Sequence, residues 1–178
     1  MKSRWLFALL TALVLVVTTV CVSVFVVLPP LYLSRVVQYA DVFSQVAKEE
    51  AVSHSLLLAV ANAESAFSPD AVSSAGAVGM MQVMPATARW IAERAGLPYT
   101  DEMLYDPSYN VRIAARYLGY LSARYEDVWV YAAYNAGEGV VDAWIAQGVE
   151  VEAVPYEETR RYVRKVGKLR KRYEARGY

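Results

Sequence analysis

Apolar positions recur at helical spacing along most of the chain, but the first run has no polar face. Residues 6–28 contain 23 positions without a charge. As a helix they would span about 34 Å, slightly more than the roughly 30 Å of hydrocarbon in a bilayer, so this run is expected to cross a membrane. Pro29 and Pro30 end it. Tyr39, Val42, Phe43, Val46 and Ala47 then mark an amphipathic helix ending near Ala51 or Val52. The next helix begins around Ser53 to Ser55, where a serine can cap it, and carries Leu57, Val60, Ala61 and Glu64 on one stripe. Because Ser68 precedes Pro69, this helix stops just after Glu64 and Ser65.

Residues 70–83 change to small side chains, among them Ala71, Ser73, Ser74, Ala75, Gly76, Ala77 and Gly79. Small side chains let a backbone pass close to a ligand, which predicts an ordered loop lining a groove and leading into Met80, Met81, Val83 and Met84. Pro85 and Thr87 open a helix that Gly96 closes. Asp106 and Pro107 start another, with Val111, Ala115, Leu118, Leu121 and Tyr125 inward. A helix capped by Asp127 runs to Gly137, and Gly139 permits a break before Val140, Val141 and Trp144. The last helix starts near Tyr156, with Tyr162, Val166, Leu169 and Tyr173 inward and its basic residues outward. Only residues 148–154 hint at a strand, so the expected fold class is all-α.

Charge refines the first run. Lys2 and Arg4 precede it and the next basic residue is Arg35, which places the amino terminus in the cytoplasm and the domain outside. A cleaved signal peptide is the rival, but the run exceeds a secretion-signal core and no small-x-small site follows it before Pro29. The expected division is residues 1–30 as cytoplasmic stub and transmembrane signal anchor, and residues 31–178 as one helical domain. The one cysteine, Cys21, lies inside the run and excludes an intrachain disulfide. Nine of the 18 basic residues fall between Arg160 and Arg176 against a single acid, Glu174. The last helix is therefore a positive surface, either a solvated face or a contact for an anionic partner.

The only histidine is His54, so no His or Cys cluster exists for a metal, and neither a phosphate-binding loop nor a dinucleotide fingerprint occurs. No metal, cofactor or nucleic acid is expected. What remains is Glu64, a carboxylate on an apolar stripe near a helix carboxy terminus. Such a group persists when it is paired or opens into a cleft, and both the terminus and an apolar surround raise its pKa. Beside it lie Ser73, Gln82 and Tyr134. Gln82 either bonds loop backbone or contacts a substrate; Tyr134 is either a functional hydroxyl or a buried tyrosine with a partner. A protonated carboxyl in a groove can donate to the leaving oxygen of a glycosidic bond. Most glycosidases need a second carboxylate, yet Asp70 sits beyond the helix break and Glu93 on another helix. Glu157 and Glu158 are accounted for by the helix dipole.

Four ordered blocks carry a resemblance. Glu64-Ser65 with Phe67, Pro69, Ala71, Ser73, Gly76-Ala77 and Gly79 leads to Met81-Gln82-Val83-Met84-Pro85 and Thr87-Ala88. Asn110 with Tyr117-Leu118 follows, then Ala133-Tyr134-Asn135-Ala136-Gly137 with Gly139 and Val141, then Pro155 with Glu158-Thr159 and Tyr162-Val163. Together they resemble the lysozyme-like (goose-type) catalytic domain of soluble lytic transglycosylases over about residues 36–170. Met80 stands where leucine is usual and Ala114 where glycine is usual. The resemblance implies a lysozyme-like helical domain behind a single N-terminal transmembrane helix, in the bacterial cytoplasmic membrane with its catalytic side extracytoplasmic. It implies non-hydrolytic cleavage of the MurNAc-β-1,4-GlcNAc bond of peptidoglycan to 1,6-anhydroMurNAc ends, with Glu64 as single general acid and then base. By the same resemblance Ser73, Gln82, Met84, Tyr134, Asn135 and Glu158 contact the glycan strand. The alternatives are a hydrolytic muramidase and a non-catalytic peptidoglycan-binding module of a cell-envelope complex.

Overall fold

The computed structural model describes residues 11–19 and 38–178, which fall into two units, Met1–Gln38 and Tyr39–Tyr178. In the first, residues 11–19 are helical and exposed, and the Thr18 and Thr19 hydroxyls donate to Leu15 O at 3.0 and 2.7 Å. The rest of the expected anchor over residues 6–28 lies outside the described residues. Among the described residues no helix is long and apolar enough to cross a membrane.

The second unit is helical. Its helices are α1 (Ala40–Glu49), α2 (His54–Ser65), α3 (Pro85–Ala95), α4 (Pro107–Ser122), α5 (Asp127–Ala136), α6 (Glu138–Ala146) and α7 (Glu157–Glu174). Single 3₁₀ turns occupy Asp101–Tyr105 and Val151–Ala153, so the segment that hinted at a strand is a helical turn. Two of the expected caps are in place: Ser53 Oγ accepts from Leu56 N at the start of α2, and Asp106 Oδ1 from Tyr109 N at the start of α4. The third is not, since Asp127 is the first residue of α5 and Glu126 holds the capping position. Two boundaries differ. α1 stops at Glu49, short of the expected Ala51 or Val52. The break between α5 and α6 is at Gly137, not Gly139, because its φ of 89° and ψ of 146° form a conformation open essentially to glycine alone.

The core is built around α2. Seven consecutive residues, Ser55 to Ala61, are buried, so over its first two turns this helix has no wet face. It packs against α7 most extensively and against α1, while α5 packs on α7 and α1 on α4. Apart from His54 at its start, α2 emerges only in its last turn, at Asn62, Ala63, Glu64 and Ser65. A carboxylate in the first two turns would have been surrounded by hydrocarbon; at the fourth-last to last positions it meets the surface while one side stays dry. The basic helix α7 is less free than its composition implied. Lys165 Nζ donates to Ala63 O at 2.6 Å, and Arg170 bonds both Glu174 and the Tyr131 hydroxyl at 2.9 Å.

Candidate active site

The end of α2 is a forced turn. Ala66 and Phe67 both take left-handed backbone, with φ of 51° and 63°, a conformation that costs non-glycine residues on the order of 1 kcal/mol or more. The turn drives the Phe67 ring into the core, edge-on to Phe43 at 5.6 Å between centroids. Ser65 Oγ locks it, donating to Met80 O at 2.8 Å and accepting from Ser68 N at 3.0 Å. Glu64 is thus held between the helix and the small-residue loop.

That loop is ordered by backbone pairing. Val78 bridges both Val72 and Val83 in antiparallel sense, and Gly79 N donates to Ala71 O at 2.8 Å. Asn110, buried on α4, accepts from Met81 N at 2.8 Å and donates to Val78 O and Leu104 O, each at 3.0 Å. Its approach explains Gly79: a Cβ there would fall 2.4 Å from Asn110 Nδ2 and 2.6 Å from Leu104 O. The sequence blocks contained Asn110 without indicating this bracing role; the available signal was a lone amide beside the buried stripe of α4.

Around Glu64 stand Tyr134 of α5 and Glu158, Tyr162 and Lys165 of α7. Burial pushes the Glu64 carboxyl up from 4.5 to about 7. Tyr162 and the Lys165 charge pull the other way, and Glu158 adds a smaller upward push. Tyr162 and Tyr134 are both held well above the ordinary phenol range, first by burial and next by the Glu64 carboxylate. The buried Tyr162 hydroxyl makes no hydrogen bond of ordinary geometry in this conformation, although it lies close enough to Glu64 to stabilise its ionised form. A raised pKa at Glu64 was expected; its main cause is desolvation. The contributions of Tyr162 and Lys165 were not foreseen, because periodicity marked one as core and the other as outward.

The other expected residues divide. A cleft of about 230 Å³ is lined by Gln82, Met84, Thr87, Tyr117, Tyr134 and Asn135, among others. Met84 is exposed there as the residue preceding α3. The Tyr134 hydroxyl donates to Met81 O at 2.8 Å, and Asn135 Oδ1 accepts from the Thr159 hydroxyl at 2.8 Å. Gln82, in left-handed backbone at φ 48°, donates to Ala71 O at 3.0 Å and Gly79 O at 2.9 Å, so it both braces the loop and lines the cleft. Ser73 is not on that lining; its Oγ accepts from Ala77 N at 2.9 Å and closes a loop turn. Glu158 is exposed in the first turn of α7, close enough to Glu64 to act on it. Glu64 itself does not line the cleft but adjoins it through Tyr134. A larger groove, about 610 Å³ between α5 and α7, contains none of the expected site residues. Among the described residues no group of three or more His, Cys, Asp or Glu is arranged to hold a metal.

Comparison with known proteins bears on this geometry. The family model described as the transglycosylase SLT domain matches residues 41–154. The soluble lytic murein transglycosylase of Salmonella typhimurium is 34% identical over 139 residues, covering 72% of this chain and 22% of that protein. The membrane-bound lytic murein transglycosylase C of Actinobacillus pleuropneumoniae is 32% identical over 169 residues, covering 78% and 46%. The solved 70 kDa soluble lytic transglycosylase of Escherichia coli superposes with a TM-score of 0.72 at 33% identity, covering 77% of this chain and 24% of that one. The same score relates it to an inactive mutant of lytic transglycosylase Slt from Pseudomonas aeruginosa, at 32% identity with 77% and 24% covered. The chain thus spans under a quarter of the length of the soluble relatives it matches. With the Glu64 helix, its small-residue loop and the Tyr134 segment all inside the matched residues, the chain belongs to the transglycosylase SLT domain family.

Proposed function

We propose that this domain is a peptidoglycan lytic transglycosylase in which Glu64 is the only acid–base group. The observation that supports this most is a single carboxyl, held up to about 7 by burial, at the edge of a cleft lined by Tyr134 and Gln82. Protonated Glu64 gives its proton to the oxygen bridging MurNAc and GlcNAc while the muramyl N-acetyl carbonyl oxygen attacks C1. Glu64, now a carboxylate, takes the proton of the muramyl 6-hydroxyl. That oxygen attacks C1, the N-acetyl oxygen leaves, and a 1,6-anhydro ring closes with no water consumed. Ser73, Gln82, Met84, Tyr134, Asn135 and Glu158 are proposed to contact the strand. For Ser73 and the Gln82 amide the contact is indirect, through the loop backbone they hold.

Mass analysis of purified cell wall digested by the protein tests this: anhydro ends with the wild type and no release with Glu64→Gln are expected. Products ending in reducing muramic acid would overturn it in favour of hydrolysis, the reading that the nearness of Glu158 as a second carboxylate favours. Binding without any cleavage would instead mark a wall-binding module. The proposal extends to the amino terminus, with residues 1–30 as stub and anchor, residues 6–28 spanning the bacterial cytoplasmic membrane once, and residues 31–178 outside. The uncharged run and the membrane-bound relative support it. Retention in the membrane pellet after alkaline carbonate extraction, with the domain open to external protease, is the expected result.

A further inference from the structure

The cleft beside Tyr134 continues. A second depression of about 330 Å³, lined by Ala86, Thr87, Trp90, Tyr117 and Glu138, shares Thr87 and Tyr117 with the first. Aromatic rings mark the route, Tyr134 to Tyr117 at 5.6 Å between centroids and Tyr117 to Trp90 at 6.5 Å. Trp90 is half-exposed and held in place, edge-on to Tyr120 at 4.9 Å with the Arg94 guanidinium 5.2 Å from its ring centre. Glu138 is held as firmly: Oε2 accepts from the Tyr120 hydroxyl at 2.7 Å and pairs with Arg124 at 3.1 Å. Its Oε1 has no bond among the described residues. Neither Trp90 nor Glu138 belongs to the sequence blocks that carry the family resemblance.

A half-exposed indole alone is an ordinary surface aromatic, and a carboxylate alone an ordinary surface charge. Here both are pre-positioned in one depression that opens from the cleft. A pyranose offers the matching chemistry, a face of C–H bonds for an aromatic ring and hydroxyl donors for a carboxylate oxygen. We propose that Trp90, Tyr117 and Glu138 form a distal sugar subsite, in which a pyranose of the glycan strand stacks on Trp90 and donates hydroxyl hydrogen bonds to Glu138 Oε1. The proposal rests on the reading of the domain as glycan-cleaving, and it makes the domain selective for long strands over short fragments.

The test uses the full chain carrying Glu64→Gln, so that nothing is turned over, titrated calorimetrically with β-1,4-linked N-acetylglucosamine oligomers from trimer to hexamer. Affinity is expected to rise with length, and Trp90→Ala to reduce the hexamer-to-trimer affinity ratio about tenfold, the size of one stacking contact. Trp90→Phe should restore part of the ratio, and Glu138→Gln should lower it. The Trp90 indole N–H resonance should move on adding hexamer, which needs no substitution at the subsite. An unchanged ratio in Trp90→Ala, or an indole resonance unmoved by saturating hexamer, overturns the subsite while leaving wall cleavage by the wild type intact. If no oligomer binds and the wild type releases nothing from cell wall, the glycan reading itself falls.

Discussion

Replacing the proposed catalytic acid should stabilise the protein, and by an amount that depends on pH in a defined way. Burial raises the folded-state pKa of Glu64 from 4.5 to about 7, so between these values the native state holds a proton that the unfolded chain releases. Native stability therefore falls as pH rises through this window and levels off above it. At 1.36 kcal/mol per pKa unit the loss is about 3 kcal/mol, an upper value because the carboxyl is partly exposed. The amide introduced by Glu64→Gln cannot ionise and lacks this loss. Every other titrating group is common to the two proteins, so their difference isolates the one site. Urea unfolding of wild type and Glu64→Gln at half-unit steps from pH 4 to 8.5 is the assay. The variant's advantage should grow from pH 4.5 to 7 and then stay flat. Any fixed offset reflects the amide's hydrogen bonds; a difference independent of pH would refute a carboxyl desolvated by the fold.

Three further outcomes follow from the same geometry. In the proposed mechanism Glu64 starts protonated, so the cleavage rate on purified wall should fall as pH rises through about 7; a rate flat to pH 9 would contradict this. Lys165 lowers the Glu64 pKa, so Lys165→Met should move that alkaline limb upward while Lys165→Arg leaves it in place, as read from the pH–rate profile. Gly79→Ala should cost several kcal/mol or prevent folding, because φ is +80° and a Cβ meets Asn110 and the Leu104 carbonyl below 3 Å; near wild-type urea stability would show that the loop yields.

The site was legible where local chemistry determines it. Pro69 fixes the end of α2 in the sequence, and that end decides that Glu64 emerges at the surface of the core. The run of small residues likewise announced a close-packed loop, and Gly79 shows why. Ser73 and Gln82 were visible as polar residues in that loop, but their engagement with its backbone was not, since it depends on how residues 71–83 fold back. The periodic stripe on α2 understated its burial, because a helix enclosed on all sides has no polar face for a pattern to contrast with. Tyr162 and Lys165 lay beyond local reasoning, as they approach Glu64 only through the packing of α7 on α2, about a hundred residues apart in the chain.

That packing settles how one helix adjusts the acid. Glu158, Tyr162 and Lys165 are spaced i, i+4 and i+7 on α7, so they form a single stripe along the end of α2. Lys165 is tied to the stripe's register by its bond to Ala63 O, the carbonyl of the residue before Glu64 and one that α2 leaves without a helical partner. Sliding α7 by one residue would break that bond and turn the stripe away, removing the groups that favour the carboxylate while leaving the burial that disfavours it. The lysine therefore acts on Glu64 twice, by its charge and by fixing where the Tyr162 hydroxyl sits. A value near 7 is the balance between desolvation, the largest influence, and two groups on α7 that oppose it. It suits the role proposed for this carboxyl, giving up a proton and then taking one back within a single turnover.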